Sequence, residues 1–221
     1  AKKYKLAVIE DAAQSFGASF KNKKSCNLAT IGCTSFFPTK PLGCYGDGGA
    51  IFTSDSSLAK IIRQIARHGQ QKRYVHIRDG VNSRLDTIQA AVLLEKLKLL
   101  DLEIRERDIV AQNYFKLFKE NKNDISLPIT KKDRNSAWAQ FSICLSDRNL
   151  VKKKLSENGI ETAIHYPMPI PYQPCVNELV NVPISVQTSE RVLSLPISGN
   201  LSLDEQSRIV SLICNTVKRR K

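Results

Sequence analysis

Four side chains near the start of the chain have the chemical character of a covalent catalytic site. Lys40 closes the segment Thr-Ser-Phe-Phe-Pro-Thr-Lys at 34–40, at the mouth of a loop rich in glycine and proline. A lysine amine in such a place can form a Schiff base with a carbonyl compound. The other three groups are the hydroxyl of Ser35, the carboxylate of Asp11 behind an apolar segment, and the amide of Gln14 shortly after it. Together they favour chemistry on an imine.

The same groups match what pyridoxal phosphate needs from a protein: an amine, an acid facing the pyridine nitrogen, and hydroxyl or amide donors for the phosphate. In that interpretation Lys40 would hold the cofactor and then move protons as general base and acid. Each residue also has an ordinary structural explanation. A lysine before a glycine loop is usually on the surface, an aspartate at a strand end usually caps a helix, and a serine in a strand usually fills space. Spacing alone leaves both interpretations open.

An α/β pattern must position these groups. The aliphatic segment 4–10 predicts a strand buried on both faces that ends at Glu10 and Asp11. The pattern continues with strands at 30–37 and 49–53, a loop at 38–49, and a helix at 56–67 that begins after the Ser54-Asp55 pair. Because functional groups in open α/β sheets lie at strand ends, Asp11 stands where a ligand would bind.

The remainder predicts connecting helices and a small α+β region. Leucines and Ile104 recur at helical spacing from Leu85 onward, which indicates a long helix or a helix pair. The later elements are a polar linker at 121–135, strands at 138–145 and 160–164, a helix at 147–158 ended by Gly159, a proline-rich loop at 167–174, and a helix at 203–218 with a capping signal at Ser202 to Glu205. Trp138 is assigned to the core.

Three motifs in the first 50 residues resemble a known family. They are Glu-Asp-Ala-Ala-Gln-Ser-Phe-Gly at 10–17, Ser-Phe-Phe-Pro-Thr-Lys at 35–40 and Gly-Asp-Gly-Gly-Ala at 46–50. In order and spacing they are similar to the signature motifs of the DegT/DnrJ/EryC1/StrS sugar aminotransferases. The resemblance implies a fold type I aminotransferase that uses pyridoxal 5'-phosphate. In it Lys40 is the Schiff-base lysine, Asp11 faces the pyridine nitrogen, Gln14 lies at the ring and Ser35 binds the phosphate.

A fourth motif, Gly-Val-Asn-Ser-Arg-Leu-Asp at 80–86, resembles the same family. The resemblance implies that Asn82 reaches the cofactor phosphate of a neighbouring subunit, which would make the enzyme a homodimer with shared sites. The structural alternative is a turn residue before a helix. Arg84 could bind a carboxylate of the substrate through its guanidinium fork, or it could form a salt bridge to Asp86 or another helix carboxylate.

Two further segments are candidates for contact with the substrate. His165 and Tyr166 follow a predicted strand, and the resemblance implies that they reach towards a sugar nucleotide, whereas packing is the structural alternative. His68, Arg73 and His76 lie in a segment that either contacts the nucleotide or is a solvated loop.

The resemblance implies ping-pong transamination of a nucleotide-linked keto sugar, with glutamate as amino donor, for cell-surface polysaccharide synthesis. The branch of the family that acts on 3-keto uronic acid sugars is the most similar. The expected fold is α/β and lacks the N-terminal part of the large domain. Its expected divisions are the C-terminal part of the cofactor domain at 1–84, connecting helices at 85–120 and a small domain at 121–221.

We therefore expect the chain either to self-associate or to need a complementing N-terminal chain, because Val8 and Ile9 would otherwise lie uncovered on a buried sheet. One alternative is a truncated, catalytically inactive remnant. Another is a basic nucleic-acid-binding module, since the net charge is +13. The basic clusters lack interleaved aromatic residues, so nucleic acid is the less favoured partner.

Composition also indicates the cellular compartment and whether a metal or a membrane is a partner. Six scattered cysteines lack the spacing of a zinc or redox motif, so we expect reduced thiols and no metal site. No apolar run is long enough to span a membrane, and the basic start runs directly into an apolar segment without a cleavage pattern. We expect a cytoplasmic protein without a membrane partner.

Overall fold

The computed structural model describes residues 1–121, 125–176, 178 and 180–218. The chain forms two compact units, Ala1–Ile104 with Lys131–Ala139, and Arg105–Thr130 with Gln140–Lys221. The three-part division at residues 84 and 120 stays a prediction about functional domains. Within the described ranges, no helix combines the length and apolar character needed to cross a membrane.

The first unit is mixed α/β. Its elements in chain order are β1 Ile9–Asp11, β2 Ser19–Phe20, β3 Lys23–Lys24, β4 Ile31–Ser35, β5 Gly49–Phe52, α1 Ser56–Ile65, β6 Gln70–Lys72, β7 Val75–His76, α2 Thr87–Leu97, the start of α3 Leu100–Glu120, and β8 Arg134–Asn135. The central sheet has the order β1-β4-β5, with β1 parallel and β5 antiparallel to β4. A second sheet, β3-β2-β8, is antiparallel.

The core of the first unit joins the glycine-rich loop to the helices. Phe36, Leu42 and Cys44 are buried with Leu93 of α2 and Leu100 of α3. Phe16 packs against the same cluster, with its ring centroid 6.0 Å from that of Phe36 in an edge-to-face arrangement. The loop that carries Lys40 is therefore attached to a packed core.

The second unit is a small α+β arrangement that includes the rest of α3. Its further elements are β9 Phe141–Cys144, α4 Arg148–Glu157, α5 Pro183–Arg191, β10 Val192–Leu195 and α6 Leu203–Lys218. Strands β9 and β10 pair antiparallel, with Phe141 opposite Leu195. The core contains Tyr114, Ile143, Leu155, Leu193 and Ile213, all fully buried.

Several predicted elements differ from the observed ones. The first strand begins only at Ile9, because Lys2–Tyr4 forms a turn of 3-10 helix and Lys5 is left-handed. Ile9 is 67% exposed, so the expectation that this strand is buried on both faces is wrong for the chain as it stands. Trp138 is buried but lies outside β9, since its φ of 46° is incompatible with an extended strand.

In the second unit, the predicted strand at 160–164 is reduced to a bridge between Ala163 and Ser194. Helix α5 and strand β10 were not predicted. The predicted linker at 121–135 ends in β8, and its residues 122–124 lie outside the described residues. The helix pair α2 and α3, strands β4 and β5, and helix α6 are confirmed.

Candidate active site

Asp11 lies at the carboxyl end of β1, held by the pairing of β1 with β4. Asp11 is opposite Cys33, and the next backbone amide, that of Ala12, donates to the Cys33 carbonyl at 2.7 Å. The Oδ1 atom of Asp11 accepts from the backbone N–H of Ala13 at 3.0 Å. Within the described chain, Oδ2 has no hydrogen-bond partner. The carboxylate is thus oriented by a local turn and keeps one oxygen for a ligand.

Glu10, which precedes Asp11, anchors the loop after β3. Its Oε1 accepts from Cys26 N at 2.9 Å and its Oε2 from Leu28 N at 3.1 Å. Burial raises the pKa of the Cys26 thiol to about 11, helped by the negative charge of Glu10 and by Cys33. Cys26 is therefore a protonated, inert thiol. Sequence analysis does not identify this role of Glu10, because its hydrogen bonds span 16 to 18 residues and leave no local pattern.

Ser35 ends β4 on the same sheet edge, because β1 and β4 run parallel and Asp11 pairs with Cys33, two residues before Ser35. The Ser35 hydroxyl accepts from Phe37 N at 3.2 Å, where the chain leaves the sheet. Lys40 follows in a turn in which its N–H donates to the Phe37 carbonyl at 2.9 Å, and its side chain is half-buried. Gln14 is exposed in the turn after Asp11. The parallel strands therefore place Asp11 and Ser35 at one edge, with Lys40 in the adjoining loop.

The loop around Lys40 is fixed by contacts to its backbone. The buried Cys44 thiol donates to the carbonyls of Phe36 and Gly46 at 3.0 and 3.1 Å. A Cβ on Gly43 would lie 2.5 Å from the Pro38 carbonyl oxygen, so this close approach requires glycine. These contacts restrict the positions that the loop can take.

Two side chains of α2 also hold this loop. Gln89 Oε1 accepts from Tyr45 N at 2.8 Å, and Lys96 Nζ donates to the Gly43 carbonyl at 2.5 Å. The sequence analysis did not identify Gln89 as a functional residue. Its position on the first turn of a helix after the Asn82 motif was the available signal.

Asn82 and Arg84 are brought together. Arg84 Nε donates to Asn82 Oδ1 at 2.9 Å, and both side chains are exposed. No ion pair between Arg84 and Asp86 forms among the described residues, so that alternative is not supported. Within the same part of the chain, no hydrogen bond engages the two Nη atoms of Arg84. The guanidinium fork is therefore available to an external carboxylate.

The predicted loop at 68–76 is a hairpin of β6 and β7. His76 Nδ1 is 2.7 Å from the His68 carbonyl oxygen. The Arg73 guanidinium lies 4.9 Å from the ring centroid of Tyr74, and Tyr74 is 76% exposed. The hairpin thus presents an exposed cation and an exposed aromatic ring.

His165 and Tyr166 belong to the second unit. His165 Nδ1 is 2.9 Å from Ser194 Oγ, which is itself 2.8 Å from Ser142 Oγ. The rings of His165 and Tyr166 meet edge to face with centroids 5.4 Å apart, and Tyr166 is 66% exposed. His165 is thus hydrogen-bonded to Ser194 of β10, while Tyr166 faces solvent.

A carboxylate and a hydroxyl at the edge of a mixed α/β sheet, with an amine in the adjoining loop, are groups of the kind that an imine-forming cofactor requires. The sequence model of the DegT/DnrJ/EryC1/StrS aminotransferase family matches residues 1–214. The chain belongs to that family.

Individual relatives agree. The chain is 53% identical over 215 residues to a UDP-2-acetamido-2-deoxy-3-oxo-D-glucuronate aminotransferase of Pseudomonas aeruginosa, covering 97% of this chain and 58% of that protein. It superimposes on a DegT DnrJ EryC1 StrS aminotransferase from Brucella abortus with a TM-score of 0.92 and 40% identity, covering 98% of this chain and 59% of the other. S. venezuelae DesV, solved in complex with a ketimine intermediate, gives a TM-score of 0.92 at 33% identity, with 100% and 60% covered. The chain spans about three fifths of the length of these relatives.

Proposed function

We propose that this chain carries the cofactor lysine of a pyridoxal-phosphate-dependent sugar aminotransferase. The reaction would move an amino group from glutamate to a keto group on a nucleotide-linked sugar. The single observation that carries the proposal is the shared sheet edge of Asp11 and Ser35, with the Lys40 loop fixed beside it. The family match over 1–214 supports it.

The donor set fits the cofactor. Lys40 would bind its aldehyde carbon, Asp11 would pair with its pyridine nitrogen through the oxygen that Ala13 leaves available, and Ser35 would donate to its phosphate. Gln14 is exposed one turn beyond Asp11 and would lie at the ring. When bound, pyridoxal phosphate withdraws electrons from the carbon that carries the substrate nitrogen.

Lys40 and Asp11 would divide the proton chemistry. The Nζ atom of Lys40 would take a proton from the α-carbon of glutamate and, in the second half of the reaction, deliver one to the sugar carbon that receives nitrogen. The Asp11 carboxylate would keep the proton on the pyridine nitrogen, because an adjacent negative charge favours the protonated form.

The substrate would be a uronic acid sugar, and Arg84 is the residue that supports this choice. Its Nη atoms have no partner in the described chain, and a guanidinium fork suits a carboxylate. The relative from Pseudomonas aeruginosa acts on a 3-oxo-glucuronate, as its name states. His165 and Tyr166 would contact the sugar nucleotide, and the hairpin of Arg73 is a separate candidate for such a contact.

Asn82 would bind the cofactor phosphate of a second subunit, so the enzyme would work as a homodimer. The six cysteines are all free thiols, which suits a reducing compartment, and we place the reaction in the cytoplasm for the synthesis of a surface polysaccharide.

The test of the cofactor site is borohydride reduction of protein loaded with pyridoxal phosphate, followed by peptide mass spectrometry. We expect the label on Lys40 and its loss in Lys40→Ala. The exposed Lys60 of α1 provides a matched control, and Lys60→Ala should keep the label. A label that stays elsewhere while Lys40 is unmodified would refute the assignment.

The test of the substrate is Arg84→Lys. A point charge cannot replace the fork, so the affinity for a uronic acid sugar nucleotide should fall by about tenfold or more, with little change for the neutral sugar. Arg105→Lys, an exposed arginine in α3, should change neither. Equal losses for both sugars would make Arg84 a structural residue.

A further inference from the structure

A basic cleft lies in the first unit, between the β2-β3 turn and the segment that leads into β8. It is an open cleft of about 530 Å³ and contains no residue of the proposed cofactor site. Its lining is Ser19, Lys21, Asn22, Lys131, Lys132, Asp133, Arg134 and Asn135. Four cations and one carboxylate therefore face a space the size of a small ligand.

The backbone of the cleft is built from two distant segments. Strand β2 pairs with β8, with Ser19 opposite Asn135, and Lys21 N donates to the Asp133 carbonyl at 2.7 Å. Lys21 and Asn22 are both left-handed, as in a tight hairpin turn. Main-chain hydrogen bonds thus join Lys21 to the basic segment at 131–134, so the arrangement does not depend on loop positions alone.

Two of the cations, Lys21 and Arg134, contact the ring of Phe20. The Arg134 guanidinium lies 4.9 Å and the Lys21 ammonium 5.4 Å from the centroid of the Phe20 ring. Cation–π attraction to one ring limits the positions of both side chains. A ligand would therefore meet charges that are already partly ordered, at a lower entropic cost.

The charges of the cleft are not neutralised within the described chain. The ion pairs found there involve other lysines, and none includes Lys21, Lys131, Lys132 or Arg134. Like charges held close together raise the free energy of the ligand-free protein, and an anion removes that repulsion. Arginine forks and lysine ammonium groups are the usual partners of phosphate oxygens.

We propose that this cleft binds a diphosphate group, either free or as part of a nucleoside diphosphate, at a site separate from Lys40. A single small ligand fits better than a nucleic-acid chain, because the volume is limited and Phe20 already faces two cations. Asn22, Asn135 and Ser19 add hydrogen-bond donors around the charged group.

The test is calorimetric titration of the purified protein with inorganic pyrophosphate and, separately, with uridine diphosphate, at ionic strength matched with potassium chloride. The cleft variant is Lys131→Gln with Lys132→Gln, and the control is Lys60→Gln with Lys119→Gln, which removes the same charge from exposed helix positions. We expect the cleft variant to bind pyrophosphate about tenfold or more weakly and the control within about twofold of the parent.

Tighter binding of uridine diphosphate than of pyrophosphate, lost in the cleft variant, would identify a nucleotide as the source of the diphosphate, whereas equal affinities would identify the free ion. The proposal is overturned if the parent does not bind either probe, if the cleft and control variants lose affinity equally, or if a single-stranded oligonucleotide binds more tightly than both. None of these outcomes depends on aminotransferase activity.

Discussion

Glu10→Gln tests whether a carboxylate clamp positions the strand end that carries Asp11. In the parent, the two oxygens accept from two backbone amides, Cys26 N at 2.9 Å and Leu28 N at 3.1 Å. A glutamine keeps one acceptor and turns its NH2 group towards the other amide, so one bond is lost and one N–H is left without an acceptor. A hydrogen bond to a charged group contributes about 1.5–3 kcal/mol. Since Glu10 is only partly buried, we expect a loss of about 2 kcal/mol in the free energy of unfolding.

The measurement is urea denaturation of the parent, Glu10→Gln and Glu10→Ala. Alanine removes both acceptors, so its effect should be about twice that of glutamine. Asp79→Asn makes the same carboxylate-to-amide change at an exposed position of the same unit and should stay within about 0.5 kcal/mol of the parent. If Glu10→Gln also stays within that range, the clamp does not stabilise the fold.

The Cys26 thiol provides a second readout. Burial is the larger cause of its raised pKa, and the charge of Glu10 is the next. In Glu10→Gln the thiol pKa should therefore fall from about 11 but remain above the ordinary value of 9.0. The rate of alkylation against pH measures this pKa. An unchanged pKa would show that the carboxylate does not act on Cys26.

Two further predictions concern the second unit. Tyr114 is fully buried and its hydroxyl donates to the Pro196 carbonyl at 3.0 Å, so Tyr114→Phe should cost about 1–2 kcal/mol in urea denaturation, whereas Tyr4→Phe at an exposed position should cost almost nothing. Hydrogen bonds from Ser202, first from its hydroxyl and then from its backbone, lower the pKa of Glu205 below 4.5. Because the folded-state pKa is the lower one, the stability that this pairing contributes is complete above pH 4.5 and is lost as the pH falls through the folded-state value. Ser202→Ala should move the Glu205 pKa upwards in a carboxyl-carbon NMR titration, and an unmoved pKa would contradict the assignment.

Sequence patterns correctly predicted the helices and strands whose signals are capping residues or apolar runs within the element or next to it. The helix start at Asp55 follows from its side chain, which accepts from the amides of Ser57 and Leu58. Helix α6 follows from the reciprocal bonds between Ser202 and Glu205. Strands β4 and β5 follow from short apolar runs on either side of the glycine-rich loop. In each case the signal lies within a few residues of the element.

Elements that depend on distant partners were missed. Strand β8 has only two residues and exists because Ser19 and Phe20 pair with it across more than 110 positions. Strand β10 is fully buried and has no alternation of apolar and polar residues that would identify it. Helix α5 did carry a local signal, since Pro183 occupies its first turn, and that signal was overlooked.

In the candidate site, too, the features with a local sequence signal were predicted and those that depend on distant contacts were not. The motifs located the residues with chemical potential, and the register of β1 and β4 accounts for the common edge of Asp11 and Ser35. The sequence did not reveal which side chains hold the loops around them. Glu10, Gln89 and Lys96 each bind backbone groups 16 or more residues away, and each has the composition of an ordinary surface residue.

Glu10, Gln89 and Lys96 contact backbone atoms of the loops. They therefore position each loop whatever side chains that loop carries. Gln89 and Lys96 both project from α2 onto the loop between Lys40 and Gly49, and the core leucine Leu93 lies between them in the sequence of the same helix. One rigid helix thus fixes the loop by two polar contacts and one apolar contact. A change in α2 that leaves Lys40 untouched would therefore alter the position of its amine, because loop contacts of this kind transmit small displacements to the groups they carry.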